Sequence, residues 1–167
     1  ERLAKLSGGV AVIKIGAARE SELKEKKLRM EDALNATKAA VAEGIVVGGG
    51  AILVEIYNEL NKNFTDENQD INKGIKAVID SLLVPMHQIA ENAGFDGDSI
   101  VEKQKTIPKN EGFDAKEGKW VNLVKEGIID PTRVTRNAIL NASSIASLLI
   151  TTEAAIADIK PINEKTL

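Results

Sequence analysis

Three stretches of this chain place apolar residues three or four apart, and that spacing restricts its fold more than any other feature. The first runs through Leu23, Met30, Leu34, Thr37 and Val41. The second runs through Ile71, Ile75, Val78, Leu82, Met86, Ile89 and Ala93, and the third through Val134, Ala138, Ala142, Ile145, Leu149 and Thr152. Positions three and four apart fall on one side of an α-helix, so each stretch predicts an amphipathic helix. Aromatic residues make up only 3% of the chain. Ala, Ile, Leu and Val must therefore fill the core, which suits closely packed helices. Gly44 and Gly94 stop the first two helices. Pro85 lies inside the second, where its missing N–H predicts a kink. Ile52, Ile56 and Leu60 mark a shorter helix, and Asp98 predicts the cap of another that runs to about Lys105 before Pro108.

Strand signals are few and short. The β-branched run from Gly8 to Gly16 reads as a strand, with Gly8 and Gly9 as a flexible entry. Residues 113–115 and 120–122 predict a hairpin around the polar turn 116–119. Asp130 followed by Pro131 predicts a helix start, with Asp as N-cap and Pro in the first turn. Residues 155–159 read as a final strand before Pro161 and a polar tail. The expected fold class is mainly α with small β elements.

Composition excludes several functions. The 22 Lys and Arg against 25 Asp and Glu leave a formal charge of −3, without the basic excess of a nucleic-acid binder. The absence of cysteine rules out disulfides, thiolate metal sites and a cysteine nucleophile. A single histidine, His87, rules out a multi-histidine zinc site. No apolar run approaches the roughly 20 residues of a membrane span. No signal peptide is visible, and the chain begins Glu-Arg-Leu without Met, as a piece of a longer protein would.

A few residues are candidates for chemistry. Gly48, Gly49 and Gly50 stand at a helix entrance, where free backbone N–H groups and the helix dipole attract anions. Their spacing matches neither the P-loop nor the dinucleotide fingerprint, so the motif alone favours a flexible turn or a close backbone crossing. Asp32 projects roughly opposite the first apolar stripe, among Leu28, Asn35, Ala36 and Ala39. Such a carboxylate can activate water, although an ordinary exposed acid fits the same helix. Asp130 is a cap that can also accept from a ligand hydroxyl. His87 reads as a surface or interface residue, and Phe113 and Trp120 as hairpin packing.

Longer motifs carry a resemblance. The run KEKKLRMEDALNAT from Lys24 to Thr37 is followed by EGIVVGGG from Glu43 to Gly50 and NAGFDG from Asn92 to Gly97. Then come GIIDPT from Gly127 to Thr132 and SLLITTE from Ser147 to Glu153. In this order they resemble the carboxy-terminal part of a GroEL-type group I chaperonin. The resemblance implies that residues 1–9 end the apical domain, with hinge glycines Gly8 and Gly9. Residues 10–43 would be the second half of the intermediate domain and Gly44 its lower hinge. Residues 44–160 would be the second half of the equatorial ATPase domain, and residues 161–167 a tail.

The same resemblance gives Asp32 a catalytic role, positioning the water that attacks ATP. Gly49, Asp114, Ala115, Ile128 and Asp130 become nucleotide contacts, with Asp130 on the ribose. Asp114 stands where many relatives carry Asn, and His87 where some carry Arg, near the surface between rings. ATP and Mg2+ are the implied cofactors, but the phosphate loop and metal-binding Asp of the family have no counterpart in this sequence. The implied partners are unfolded polypeptides, a co-chaperonin and further copies in rings, with no nucleic acid or membrane. The implied compartment is the bacterial cytoplasm or the mitochondrial matrix. From the residues alone, a non-catalytic helical interaction or oligomerisation module remains an alternative.

Overall fold

The computed structural model describes residues 11–157. Helix α1 spans Glu20–Glu43, followed by strand β1 (Ile45–Val47) and helix α2 (Ala51–Asn63). Helices α3 (Gln69–Ser81), α4 (Val84–Asn92) and α5 (Gly97–Gln104) come next. The hairpin strands β2 (Glu111–Asp114) and β3 (Lys119–Asn122) lead to β4 (Ile129–Pro131) and helix α6 (Thr132–Thr151). The described residues are mainly helical with two small antiparallel sheets, β1 with β4 and β2 with β3.

The core lies where α2, α4 and α5 meet the hairpin. Val47, Ala51, Val54, Met86, Val101 and Leu123 form one buried cluster. Val54 and Leu123 are fully enclosed, each contributing about 2 kcal/mol from apolar burial. No ring belongs to that cluster. Phe95, Phe113 and Trp120 gather beside it, Phe95 edge-on to Phe113 at 5.0 Å and Phe113 tilted against Trp120 at 5.4 Å.

The two longest helices stand apart from this core. Neither α1 nor α6 buries a residue, and they pack on each other and on β4. Four ion pairs at four-residue spacing brace α1: Lys24–Glu20, Lys26–Glu22, Lys27–Glu31 and Arg29–Glu25. Each contributes a few tenths of a kcal/mol to the helix. At the other end Glu43 sits 3.5 Å from Arg133 and 2.9 Å from Arg136, joining the end of α1 to the start of α6.

Local rules were overridden in five places. The second apolar stripe forms two helices instead of one kinked helix. Pro85, second in α4, has no N–H to give the Ser81 carbonyl and its ring crowds that carbonyl. The chain instead tightens, with Leu82 N–H donating to Ile79 O and Leu83 N–H to Asp80 O. Asp130 is not an N-cap. It lies in β4 opposite Val46, the pairing continues from Thr132 N–H to Gly44 O at 3.1 Å, and α6 starts after Pro131.

Helix α5 is capped at Asp96 rather than Asp98. The Ser99 hydroxyl donates to the Asp96 carboxylate and holds its carboxyl below the ordinary value. Residues 11–16 pair with no strand among the described residues, and the rest of the run from Gly8 lies outside them. Residues 155–157 likewise form no strand, and Ile156 is fully exposed. Asp158 and Ile159 lie outside the described residues.

Candidate functional site

The turn entering α2 shows why three glycines occur together. A β-carbon on Gly48 would lie 3.2 Å from the backbone of Ile128, whose carbonyl accepts the Gly48 N–H at 2.9 Å. A β-carbon on Gly50 would lie 2.9 Å from the Met86 nitrogen, and Gly50 has a left-handed φ of +78°. The two outer glycines are therefore close backbone crossings. They leave Gly49 between them, lining a cleft of about 570 Å³. The Gly49 and Gly50 N–H groups find no backbone acceptor among the described residues, and α2 has no side-chain cap. Close backbone crossings and an uncapped helix entrance thus coexist in this turn.

The opposite side of the cleft comes from the hairpin. Phe113 pairs with Trp120 and Asp114 with Lys119, which places Asp114 and Ala115 at the turn and in the cleft wall. One Asp114 oxygen accepts from Lys116 N–H at 2.9 Å and Glu117 N–H at 3.3 Å. This is an Asx-type turn in which an acidic side chain serves as well as an amide, since only acceptors are needed. The second carboxylate oxygen takes no hydrogen bond among the described residues. Ile128 closes the wall from the segment before β4, and its N–H is fixed to Leu123 O at 2.8 Å.

Four expected site residues, Gly49, Asp114, Ala115 and Ile128, therefore line one cleft, although they come from three distant parts of the chain. Asp130 and Asp32 do not line it. Asp130 follows Ile128 by two residues, is half-buried in β4, and burial pushes its carboxyl above the ordinary value. Asp32 is exposed on α1, and no ion pair takes it up among the described residues, whereas neighbouring Glu31 pairs with Lys27. Gly44 ends α1 with φ +81° and open space around it. Gly8 and Gly9 lie outside the described residues.

Sequence reasoning missed other walls of the cleft. Ile89 belongs to an apolar stripe and carried no sign of facing a cleft. Lys116, Glu117, Lys119 and Glu126 form a rim of mixed charge. Phe113 both packs the hairpin and lines the cleft. His87 has an acidic neighbour after all, with Nε2 3.4 Å from Asp98 Oδ1. Among the described residues no cluster of three or more candidate ligands could hold a metal, and no helix is long and apolar enough to cross a membrane.

The raised carboxyl of Asp130 gives a signed expectation. Its folded form favours the proton, so the stability it contributes is full below its ordinary value and is lost as pH rises through the raised one. Asp130→Asn removes that loss. The variant should need more urea to unfold at pH 7 than the parent, with the difference closing near pH 3, where both side chains are neutral. Equal midpoints at both pH values would show that the carboxylate is not desolvated.

Residues 3–160 match the model of the TCP-1/cpn60 chaperonin family. The chain is 69% identical over 160 residues to the chaperonin GroEL of Acholeplasma laidlawii and 64% identical over 160 residues to that of Onion yellows phytoplasma. Each match covers 96% of this chain and 30% of the relative. The chain therefore spans about 30% of the length of these relatives. Among solved structures it resembles a group III chaperonin in the open state, with a TM-score of 0.74 and 28% identity over 85% of this chain and 30% of that one.

Proposed function

The chain belongs to the TCP-1/cpn60 chaperonin family, and on that premise we propose that it supplies the base-binding half of an ATP site in a group I chaperonin. The observation that carries this reading is the convergence of Gly49, Asp114, Ala115 and Ile128 on one cleft beside an uncapped helix entrance. The high identity to two bacterial GroEL chains supports group I rather than group III. It also favours the bacterial cytoplasm over a mitochondrion. The order of the motifs supports a carboxy-terminal position, with residues 1–9 ending the apical domain, 10–43 in the intermediate domain, 44–160 in the equatorial domain and 161–167 a tail.

In this reading the second Asp114 oxygen accepts from an amino group on the base, while Ala115 and Ile128 give it apolar walls. The Gly49 N–H faces the charged end of the nucleotide. Asp130 lies next along the chain from Ile128 and accepts from ribose hydroxyls. Asp32 reaches the nucleotide only when α1 swings about Gly44. The chain spans about 30% of the length of its relatives, and in this reading metal and phosphate-loop positioning come from another part of the whole protein. The whole machine would enclose unfolded polypeptides with a co-chaperonin and form rings of like chains, driven by ATP. The exposed apolar side chains of α6, among them Leu148, Leu149 and Ile150, fit the rival reading of a helical interaction module.

Nucleotide titration separates the two. The only tryptophan, Trp120, sits 5.4 Å from Phe113 in the cleft wall, so its fluorescence reports occupancy. ATP and adenosine should each give a saturable change that Ala115→Arg abolishes. No phosphate should be released, because phosphoryl transfer depends on metal and phosphate positioning. No saturable change, with no heat of binding by calorimetry, would leave the interaction module as the reading.

A further inference from the structure

Gln104 is the only buried polar side chain among the described residues, at 2% exposure. Burying an amide in an apolar setting costs about 1–3 kcal/mol for each group left unpaired, and a leucine would fill the same space. One end is used: Nε2 donates to the Glu111 carbonyl at 2.9 Å. The other is not, since Oε1 has no hydrogen-bond partner among the described residues. Oε1 lies instead against Gly112, 3.1 Å from where a β-carbon would stand, with Leu123 closing the same space at 2.6 Å. The last residue of α5 is thus tied to the first two residues of β2 by a directional bond and a close backbone contact.

That tie matters because of what β2 carries. The β2–β3 hairpin is a two-stranded sheet, marginal by itself, and no third strand joins it among the described residues. Immediately beyond the tie, Phe113, Asp114 and Ala115 form one wall of the cleft. The facing wall, Gly49 and Ile89, belongs to the α2 entrance and α4. The distance between the walls depends on how the hairpin is registered against α5.

We propose that Gln104 is a positioning residue for the base end of the cleft, acting through the Glu111 carbonyl to hold Asp114 and Ala115 at the width a purine requires. This inference rests on the nucleotide reading of the cleft. It explains why an amide, rather than an aliphatic side chain, occupies the end of α5: packing alone does not fix a hairpin along its own length, whereas one directional bond does.

The test uses the 167-residue chain with Gln104→Met and Gln104→Glu. The methionine variant keeps the shape but removes both the donor and the unpaired acceptor, so its urea midpoint should stay near that of the parent. Its adenosine affinity should fall about tenfold, the worth of one hydrogen bond. Without nucleotide, amide exchange across residues 111–123 should quicken several-fold while α2 stays protected. The glutamate variant should bind poorly at pH 7.5 and recover toward the parent, measured at the same pH, near pH 5, where a protonated carboxyl again donates to Glu111. Parent-like adenosine binding and parent-like hairpin exchange in the methionine variant would overturn the inference while leaving the nucleotide reading intact. If the parent binds no adenosine, the nucleotide reading fails, and the proposed purine-positioning role fails with it. Hairpin exchange in the methionine variant would then show only whether the tie itself holds.

Discussion

Asp32→Ala, made in the chaperonin of Acholeplasma laidlawii with this chain exchanged for the matching 30% of its length, should leave ATP binding within about threefold and lower hydrolysis about 100-fold or more. That range is what a positioned carboxylate contributes when it orients or activates water. The split follows from geometry. Asp32 does not line the cleft, so it adds nothing to binding in the arrangement seen here. It is exposed, and no ion pair among the described residues holds it; in the proposed reading α1 would carry it to the nucleotide. Asp32→Asn should lose nearly as much turnover, because the amide keeps the shape and loses the basic oxygen. The measurement is steady-state phosphate release beside equilibrium ATP binding. Parent-like turnover in both variants would remove Asp32 from the chemistry, and an equal loss of binding would make it a nucleotide contact.

Gly50→Ala should produce the largest loss of stability of any single methyl added to the turn. A residue other than glycine at φ +78° costs about 1–2 kcal/mol, and forcing a methyl into a packed contact adds about 1–3 kcal/mol. The contact cannot yield easily, since the opposing atoms are the Met86 backbone, with Met86 itself 2% exposed. A loss of about 2–5 kcal/mol is therefore expected in urea unfolding. Two controls separate the causes. Gly94→Ala has a similar φ of +84°, in a helix-ending turn closed by Phe95 N–H to Ala90 O, but open space, so only the backbone strain of about 1–2 kcal/mol should remain. Gly74→Ala lies within α3 with nothing within 4 Å and should stabilise by about 0.5–1 kcal/mol. If Gly50→Ala costs no more than Gly94→Ala, the crossing with Met86 is looser than described.

The helices were legible because a 3.6-residue period survives whatever surrounds it. Residues 23–41 and 134–152 fold as their stripes predict, even though neither α1 nor α6 buries a side chain. What sequence could not rank was competition between a local rule and a distant partner. Asp130 and Pro131 carry the signal of a helix start, yet β1 claims them because an antiparallel pairing satisfies more backbone groups than one cap does. Pro85 carried the signal for a kink, and only the tightened turn at Leu82 and Leu83 shows that the helix breaks.

The cleft shows the same division. Gly49, Asp114, Ala115 and Ile128 drew attention through the resemblance of longer motifs, since no spacing joins residues so far apart. Ile89 was hidden in an apolar stripe that explained it completely. Gln104 gave no signal at all: in a stretch rich in Lys and Glu, a glutamine reads as surface, and only the fold reveals that it is enclosed.

The ion pairs of α1 have a mechanical consequence. A helix braced by its own side chains keeps its stiffness when it leaves its neighbours, so it can act as a lever rather than as a cord. Its 24 residues extend roughly 36 Å at about 1.5 Å per residue. A turn of about 10° at Gly44 carries the far end roughly 6 Å and Asp32, midway along, roughly 3 Å. In the proposed reading an adjustment of about 10° in one glycine thus becomes a displacement the size of a hydrogen bond at the carboxylate, and no turn of the helix has to melt for it to happen.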